Sequence, residues 1–193
     1  MSRDDQIRWD KQHANSGKRA QPANFLEEII ENESWAISRG KALDIACGKG
    51  RNALFLAERG FDVVAVDVSP VALNEGQRLA KEKSLTITWQ QADLESRALP
   101  EARFDVVIDF NYLQRSLIPQ LKAAVKRGGF FIFETFLIDQ QTLGHPSNPD
   151  YLLRHNELLN FCRDLRVLFY REGKFRDGSD QSFRAGILAQ KIL

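Results

Sequence analysis

Lys41–Asp67, KALDIACGKGRNALFLAERGFDVVAVD, is the stretch on which the reading of this chain turns. Its first apolar run ends in Asp44. A glycine-punctuated turn, Ala46-Cys47-Gly48-Lys49-Gly50, then leads into a helix-forming stretch from Arg51 to Arg59, which Gly60 stops. A second apolar run, Val63-Val64-Ala65-Val66, ends in another acid, Asp67. Strand, tight turn, helix and strand make a β-α-β unit, and such a unit holds its ligand outside the carboxyl ends of its strands. An adenosine-containing cofactor is the ligand class that fits.

Working outward, Phe25, Leu26, Ile29, Ile30 and Ile37 fall at helical spacing and predict an amphipathic helix over 23–38. Strands are expected at Ala42–Ala46 and Asp62–Asp67. Ser69-Pro70 is a helix start, with Ser69 as N-cap and Pro70 at the first helical position, and that helix should run to about Lys83. Leu85–Trp89 and Phe104–Phe110 read as further strands. A helix over 115–126, interrupted at Pro119, is followed by the turn Arg127-Gly128-Gly129 and a strand at Phe130–Phe136. Apolar strands alternating with helices imply a parallel sheet covered on both faces. The pattern then changes. Residues 138–151 read as a loop, 150–164 as a helix, and Leu165–Tyr170 and Ala185–Ile192 as antiparallel strands joined by the polar stretch 171–182.

Composition narrows the function classes. The 193 residues carry 27 basic and 26 acidic side chains, a net charge of +1, so no electrostatic footprint points to nucleic acid or an anionic membrane. The polar start MSRDDQIRWDKQ has no signal-peptide core, and no apolar run is long enough to span a bilayer. Cys47 and Cys162 are the only cysteines, one in the glycine turn and one in a helical stretch, which fits a reducing, cytoplasmic setting. Three histidines and two cysteines show no metal-ligand spacing, so no metal is expected.

Two cofactors compete for the glycine loop. Gly48-Lys49-Gly50-Arg51-Asn52-Ala53 can be laid on G-x-G-x-x-[GA] with Asp67 as the ribose acid, which would mean NAD(P) and an oxidoreductase. Asp44, four residues before Gly48, would however place a negative charge where a pyrophosphate must sit. S-adenosyl-L-methionine has no phosphates and carries an ammonium and a sulfonium. An acid at the first strand end suits it, and glycines let backbone lie against the ligand. Asp67 can then take the ribose hydroxyls and Asp93 the adenine amino group, between the apolar walls of Leu94 and Phe110. Asn52 is read as capping the helix or touching the methionine carboxylate.

The motifs LDIACGKGRN, VVAVDVS, QQAD, FDVVIDF and GGFFIFETF, in this order and spacing, resemble those of the Rossmann-like (class I) SAM-dependent methyltransferases. GRNALFLAERGFDVVAVDVSP, followed by RSLIPQL and GG, is most similar to the small tellurite-resistance and thiopurine methyltransferase-like group. The resemblance runs from Lys41 to Leu193. It implies an α/β three-layer sandwich with a seven-stranded, mostly parallel sheet of order 3-2-1-4-5-7-6, strand 7 antiparallel. Residues 1–193 are then one methyltransferase domain, with 1–22 an N-terminal arm or lid that brings Trp9 to the cofactor. The implied cofactor set is Trp9, Asp44, Ala46, Cys47, Gly48, Gly50, Asn52, Asp67, Val68, Asp93, Leu94 and Phe110. Ala46 stands where the family has its first loop glycine, which permits close approach if its φ is negative. His13 stands near the position of the group's tyrosine.

The expected activity is in-line methyl transfer to a small acceptor such as a thiol or a chalcogen oxyanion. The alternatives are the NAD(P) oxidoreductase and a non-catalytic SAM-binding regulatory domain. His145, in the loop over the expected acceptor site, is the candidate base among the three histidines, each of which is also readable as a surface residue. Arg115 and Arg154 are candidates for holding an anionic substrate or, equally, for surface ion pairs. Asp109-Phe110-Asn111-Tyr112 occupies the place of the Asp/Asn-Pro-Pro-Tyr/Phe motif of nucleic-acid amino-methyltransferases but lacks both prolines, so it reads as a strand end. Cys47 is read as a small loop residue, Lys49 and Arg51 as solvated, Trp35 and Trp89 as packing residues.

Overall fold

A computed structural model describes residues 7, 9–11, 21–94, 98–177 and 180–192. Strands β1 (Lys41–Ile45), β2 (Asp62–Asp67), β3 (Ile87–Gln91), β4 (Phe104–Phe110), β5 (Val125–Phe136), β6 (Arg166–Asp177) and β7 (Asp180–Gln190) form one seven-stranded sheet. Its order is β3-β2-β1-β4-β5-β7-β6. β1 to β5 run parallel, and β7 is antiparallel to both its neighbours. Helices α1 (Asn24–Glu31), α2 (Arg51–Glu58), α3 (Pro70–Glu82), α4 (Ile118–Ala124) and α5 (Glu157–Phe161) complete the α/β layers.

Alternation along the strands divides the core in two. Ala42, Ala65, Val106, Ile108 and Ile132 pack under α1 to α3 through Phe25, Leu26, Ala53, Leu56 and Leu73. Leu43, Ile45, Val66, Val107 and Phe133 pack on the opposite face against Leu117, Ile118 and Leu121, with Leu158 of α5 beside them. Continuous apolar strands are what a sheet buried on both faces requires. Among the described residues, no helix is long and apolar enough to cross a membrane.

Several boundaries depart from the sequence expectation, each for a visible reason. The first helix stops at Glu31 because Asn32 accepts the Ser34 N–H and starts a separate 3-10 turn, which Ala36 closes at φ +49°. β3 begins two residues late because Ser84 (φ +56°) and Leu85 belong to the end of α3, where the Leu85 N–H donates to Ala80 O at 2.9 Å. The turn expected at 127–129 is a bulge inside β5: β4 pairs Phe104 with Val125 and then Val106 with Phe130. A Cβ on Gly129 would stand 2.8 Å from Asp105 O.

The helix expected over 150–164 shrinks to Glu157–Phe161. Leu153 is instead extended, bridging Leu137, with its N–H on Phe136 O and its carbonyl taking the Ile138 N–H. The largest departure is the last hairpin. The polar stretch 171–182, expected as a connection, continues both strands almost to the turn, pairing Arg171 with Gly186 and Asp177 with Asp180. Its cations are covered by rings: Arg171 lies 4.4 Å from the centre of Phe25 and 4.7 Å from that of Phe175, and Lys174 lies 5.6 Å from Phe183. Apolar periodicity does not register that kind of pairing.

Candidate functional site

The carboxyl ends of β1, β2 and β4 open into a cleft of about 910 Å³. Of the residues expected at the cofactor, it is lined by Trp9, Asp44, Ala46, Cys47, Gly48, Asn52, Asp67 and Phe110. Gly50, Val68, Asp93 and Leu94 do not line it. Val68 and Leu94 are buried in the α4-side core, and Asp93 is half-buried in the bend after β3.

Asp44, next to the last residue of β1, is 1% exposed, and its Oδ2 has no hydrogen-bond partner among the described residues. Burial pushes its carboxyl up to about 8; the charge of Arg51 and the Ala53 N–H pull the other way, while the charge of Asp67 adds to the rise. A buried acid with an unmet oxygen on a cleft wall suits a cationic ligand. Asp109, at the end of β4, is equally buried with both oxygens unpartnered; burial first, then the charge of Asp44, holds it well above the carboxylate range.

Asp67 is positioned by two backbone donors, Gly48 N–H at 2.7 Å to Oδ2 and Ser69 N–H at 2.9 Å to Oδ1. Each carboxylate oxygen has a second lone pair, so the pair of ribose hydroxyls can still be accepted. Ser69 caps α3 by accepting the Ala72 N–H at 3.1 Å, as its place before Pro70 predicts. The Ser69 hydroxyl also donates to Asp10, which pins the helical residues 9–11 of the arm. Trp9 packs there against the α4-side core and lines the cleft.

The glycine turn differs in detail from its sequence reading. Ala46 has φ +50°, so the condition of a negative φ is not met and an alanine sits in the region that favours glycine. Gly50, the N-cap of α2 at φ +76°, serves packing rather than ligand approach: a Cβ there would lie 2.3 Å from Trp89 Cη2. A Cβ on Gly76 of α3 would lie 2.5 Å from the same ring, so the indole needs both glycines. Asn52 neither caps α2 nor is spare. It is buried and accepts the Ala23 N–H at 2.9 Å, tying the chain before α1 to α2. Burial, and then the charges of Asp44 and Asp67, hold the Cys47 thiol well above its ordinary range. Arg51 is not merely solvated; it lines the cleft and pulls on Asp44.

The expected acceptor-side candidates lie elsewhere. His145 is exposed and does not line the cleft; its carbonyl accepts from Gln140 Nε2 at 2.8 Å. His155 is an exposed partner of Asp139 at 2.6 Å, and His13 lies outside the described residues. Arg115 is a structural clamp: it grips Glu157 with two nitrogens, at 2.7 and 3.0 Å, and the carbonyls of Asp150 and Leu152, both at 2.8 Å. Arg154 offers its N–H to the same Glu157. Cleft-lining residues that the sequence reading did not place there include Asn111 and Tyr112, read only as part of a strand end, and Glu27, Phe55, Glu75 and Arg78 of the helices.

Comparison with known proteins agrees with this geometry. Residues 42–129 match the methyltransferase domain family. The chain is 30% identical over 141 residues to Hemagglutinin 1 of Eikenella corrodens, covering 68% of this chain and 46% of that protein. It is 38% identical over 90 residues to a 2-heptyl-1-hydroxyquinolin-4(1H)-one methyltransferase of Mycobacteroides abscessus, covering 46% of this chain and 38% of that protein. It thus spans less than half the length of these two relatives. Among solved structures, TehB from Haemophilus influenzae superposes with a TM-score of 0.73 at 21% identity, over 96% of this chain and 66% of that one. The fold, the matched segment and a buried acid on the cleft wall agree: residues 42–129 match a methyltransferase domain, on a Rossmann-like fold shared with TehB.

Proposed function

We propose that this chain transfers a methyl group from S-adenosylmethionine to a small acceptor, a thiol, a chalcogen oxyanion or a comparable small molecule. The observation that carries the proposal is Asp44, whose buried Oδ2 has no partner among the described residues, while Asp67 of the adjacent strand lines the same cleft with its orientation already set. Asp44 would hold the cationic methionine end, and Asp67 the ribose. Phe110 would wall the adenine side, and Trp9 would close the cleft from the arm. When bound, the cofactor supplies an electrophilic methyl on a sulfonium that leaves as a neutral thioether.

The acceptor's lone pair forms the new bond to the methyl carbon as the carbon–sulfur electrons return to sulfur, and any proton on the acceptor is lost to water. A soft nucleophile of low pKa needs no dedicated base. The chain's own tasks are then alignment and exclusion of water. Support for a small acceptor comes from the near-neutral charge and from the cleft being lined by the arm at Trp9. The names of the relatives, a hydroxyquinolone methyltransferase and TehB among them, point the same way. An NAD(P) reading is disfavoured because an acid at the end of β1 would face a pyrophosphate.

Calorimetric titration with S-adenosylmethionine and NADH separates the cofactors. Release of S-adenosylhomocysteine is then followed over a panel of thiols, selenite, tellurite and an N-hydroxyquinolone. Binding of NADH without S-adenosylmethionine, or cofactor binding with no release from any acceptor, would defeat the proposal.

A further inference from the structure

The cleft wall beyond Phe110 contains a side chain to which the proposed cofactor contacts give no role. Asn111 follows β4 directly, is exposed, and lines the cleft beside Phe110 and Tyr112. Its backbone stands at φ +61°. Asparagine is among the few non-glycine residues that enter this region readily. Two contacts hold this one. The Asn111 N–H donates to Glu134 O at 3.0 Å, and Arg184 Nη1 donates to Asn111 Oδ1 at 2.7 Å.

The second contact settles which way the amide faces. A guanidinium has donors only, so the amide atom toward Arg184 is the oxygen, and the NH₂ group lies on the other arm of the amide plane. The cleft-lining side chain therefore carries two N–H donors turned away from Arg184. Arg184 is itself placed by packing rather than by Asn111 alone. It lies 4.0 Å from the centre of the Phe136 ring, its Nε donates to Ser182 Oγ at 3.0 Å, and Glu134 Oε2 is 3.6 Å away. It sits on β7 opposite Phe136, at the carboxyl end of β5. A cation bonded to the amide oxygen draws electron density from the NH₂ group and strengthens it as a donor, most of all toward an anionic oxygen.

We infer that Asn111, oriented by Arg184, selects the acceptor: its amide N–H groups bind a carboxylate carried by the methyl acceptor beside its nucleophilic atom. The inference rests on the small-acceptor reading above. Asn111 is the selecting group, and Arg184 is a positioning residue that acts through it.

The test uses two probe thiols that differ by one carboxylate, 2-mercaptobenzoate and thiophenol, titrated into the complex of the full chain with S-adenosylhomocysteine. The wild-type chain binds 2-mercaptobenzoate about tenfold more tightly, the worth of one charge-assisted hydrogen bond. Asn111→Asp keeps an oxygen for Arg184 but puts a second oxygen in place of the donors, and the preference disappears or reverses. Asn111→Gly loses the preference while the chain still unfolds cooperatively, because glycine accepts φ +61°. Loss of binding there is not loss of fold. Arg184→Met lets the amide turn over and lowers the preference ratio, whereas Arg184→Lys, which keeps a donor, retains most of it. Equal binding of the two thiols by the wild type, or an intact preference in Asn111→Gly, overturns the inference. Failure of S-adenosylhomocysteine to bind at all would instead remove the methyltransferase reading beneath it.

Discussion

The two halves of the sheet rim are built differently. On the β1–β2 side, ligand groups are single acids at strand ends, set by neighbours close in sequence: Asp67 is fixed by Gly48 and Ser69, and Asp44 stands before the turn that faces it. On the β5–β7 side, the charged groups are fixed by partners far along the chain. Arg171 reaches Glu28 at 2.9 Å and Glu134 at 2.8 Å, Arg184 reaches Asn111, and Arg115 reaches Glu157. One rim presents unmet acid to a cation; the other presents arginines already engaged with carboxylates and rings. The first half rests on contacts between sequence neighbours, the second on contacts that nothing local in the sequence encodes.

Four experiments sharpen or break that contrast. The largest effect is expected at Gly50, where a side chain meets both a positive φ and the Trp89 ring at 2.3 Å. Gly50→Val should cost about 3 kcal/mol or more in denaturant unfolding. Gly128→Ala, at φ +80° but with open space around its Cβ, should cost only about 1–2 kcal/mol. Equal costs would show that the indole is not the constraint.

Next comes Asp67→Ala. Loss of a charge-assisted ribose contact should weaken S-adenosylmethionine by about 1.5–3 kcal/mol in calorimetry. The sequence alone predicts an intact fold for this variant. The structure adds a stability loss of about 1–3 kcal/mol, since the N–H groups of Gly48 and Ser69 lose their acceptor. Arg115→Ala is its counterpart on the other rim: it should lower stability by a comparable amount through the 150–157 segment yet leave cofactor affinity unchanged. Weakened cofactor binding there would dissolve the division between the two rims.

The third experiment is a pH series. Asp44 keeps its proton in the native chain up to about 8 but loses it near 3.8 when unfolded. Between those values the native state binds more protons, so the stability of the ligand-free chain falls as pH rises, then levels off above about 8. A cationic cofactor favours the charged form, so its affinity should rise over the same interval with release of a proton. Asp44→Asn should flatten the affinity slope and lessen the stability slope, leaving the part that Asp109 contributes; an unchanged affinity slope in that variant would remove Asp44 from the site. Smallest is Ala46→Gly, which relieves φ +50° and should raise stability by about 1 kcal/mol in the same unfolding assay.

Legibility in the sequence followed the same division. β2 and β4 fall at their expected limits, and Ser69-Pro70 starts its helix as predicted, because strand alternation and caps are local signals. Eight of the expected cofactor residues line one cleft. Gly50 was foreseen for the wrong reason, since the ring it accommodates belongs to β3, beyond the reach of any local pattern. The helix expected over 150–164 failed where a bridge to Leu137 and the Arg115 clamp take its backbone groups. The long hairpin failed because cation–ring stacking replaces apolar alternation along 171–183.

The amino-acid sequence by itself determined the alternation of strands with helices, the helix start at Ser69-Pro70 and the acids at the strand ends. These rest on periodicity, capping and charge placed within a few residues of one another. Tertiary structure alone decided that Asp44 is buried with an unmet oxygen, that Trp89 needs Gly50 and Gly76, and that Arg184 orients Asn111. Burial and partner choice depend on what the folded chain brings alongside, and that information lies in contacts between residues far apart in sequence.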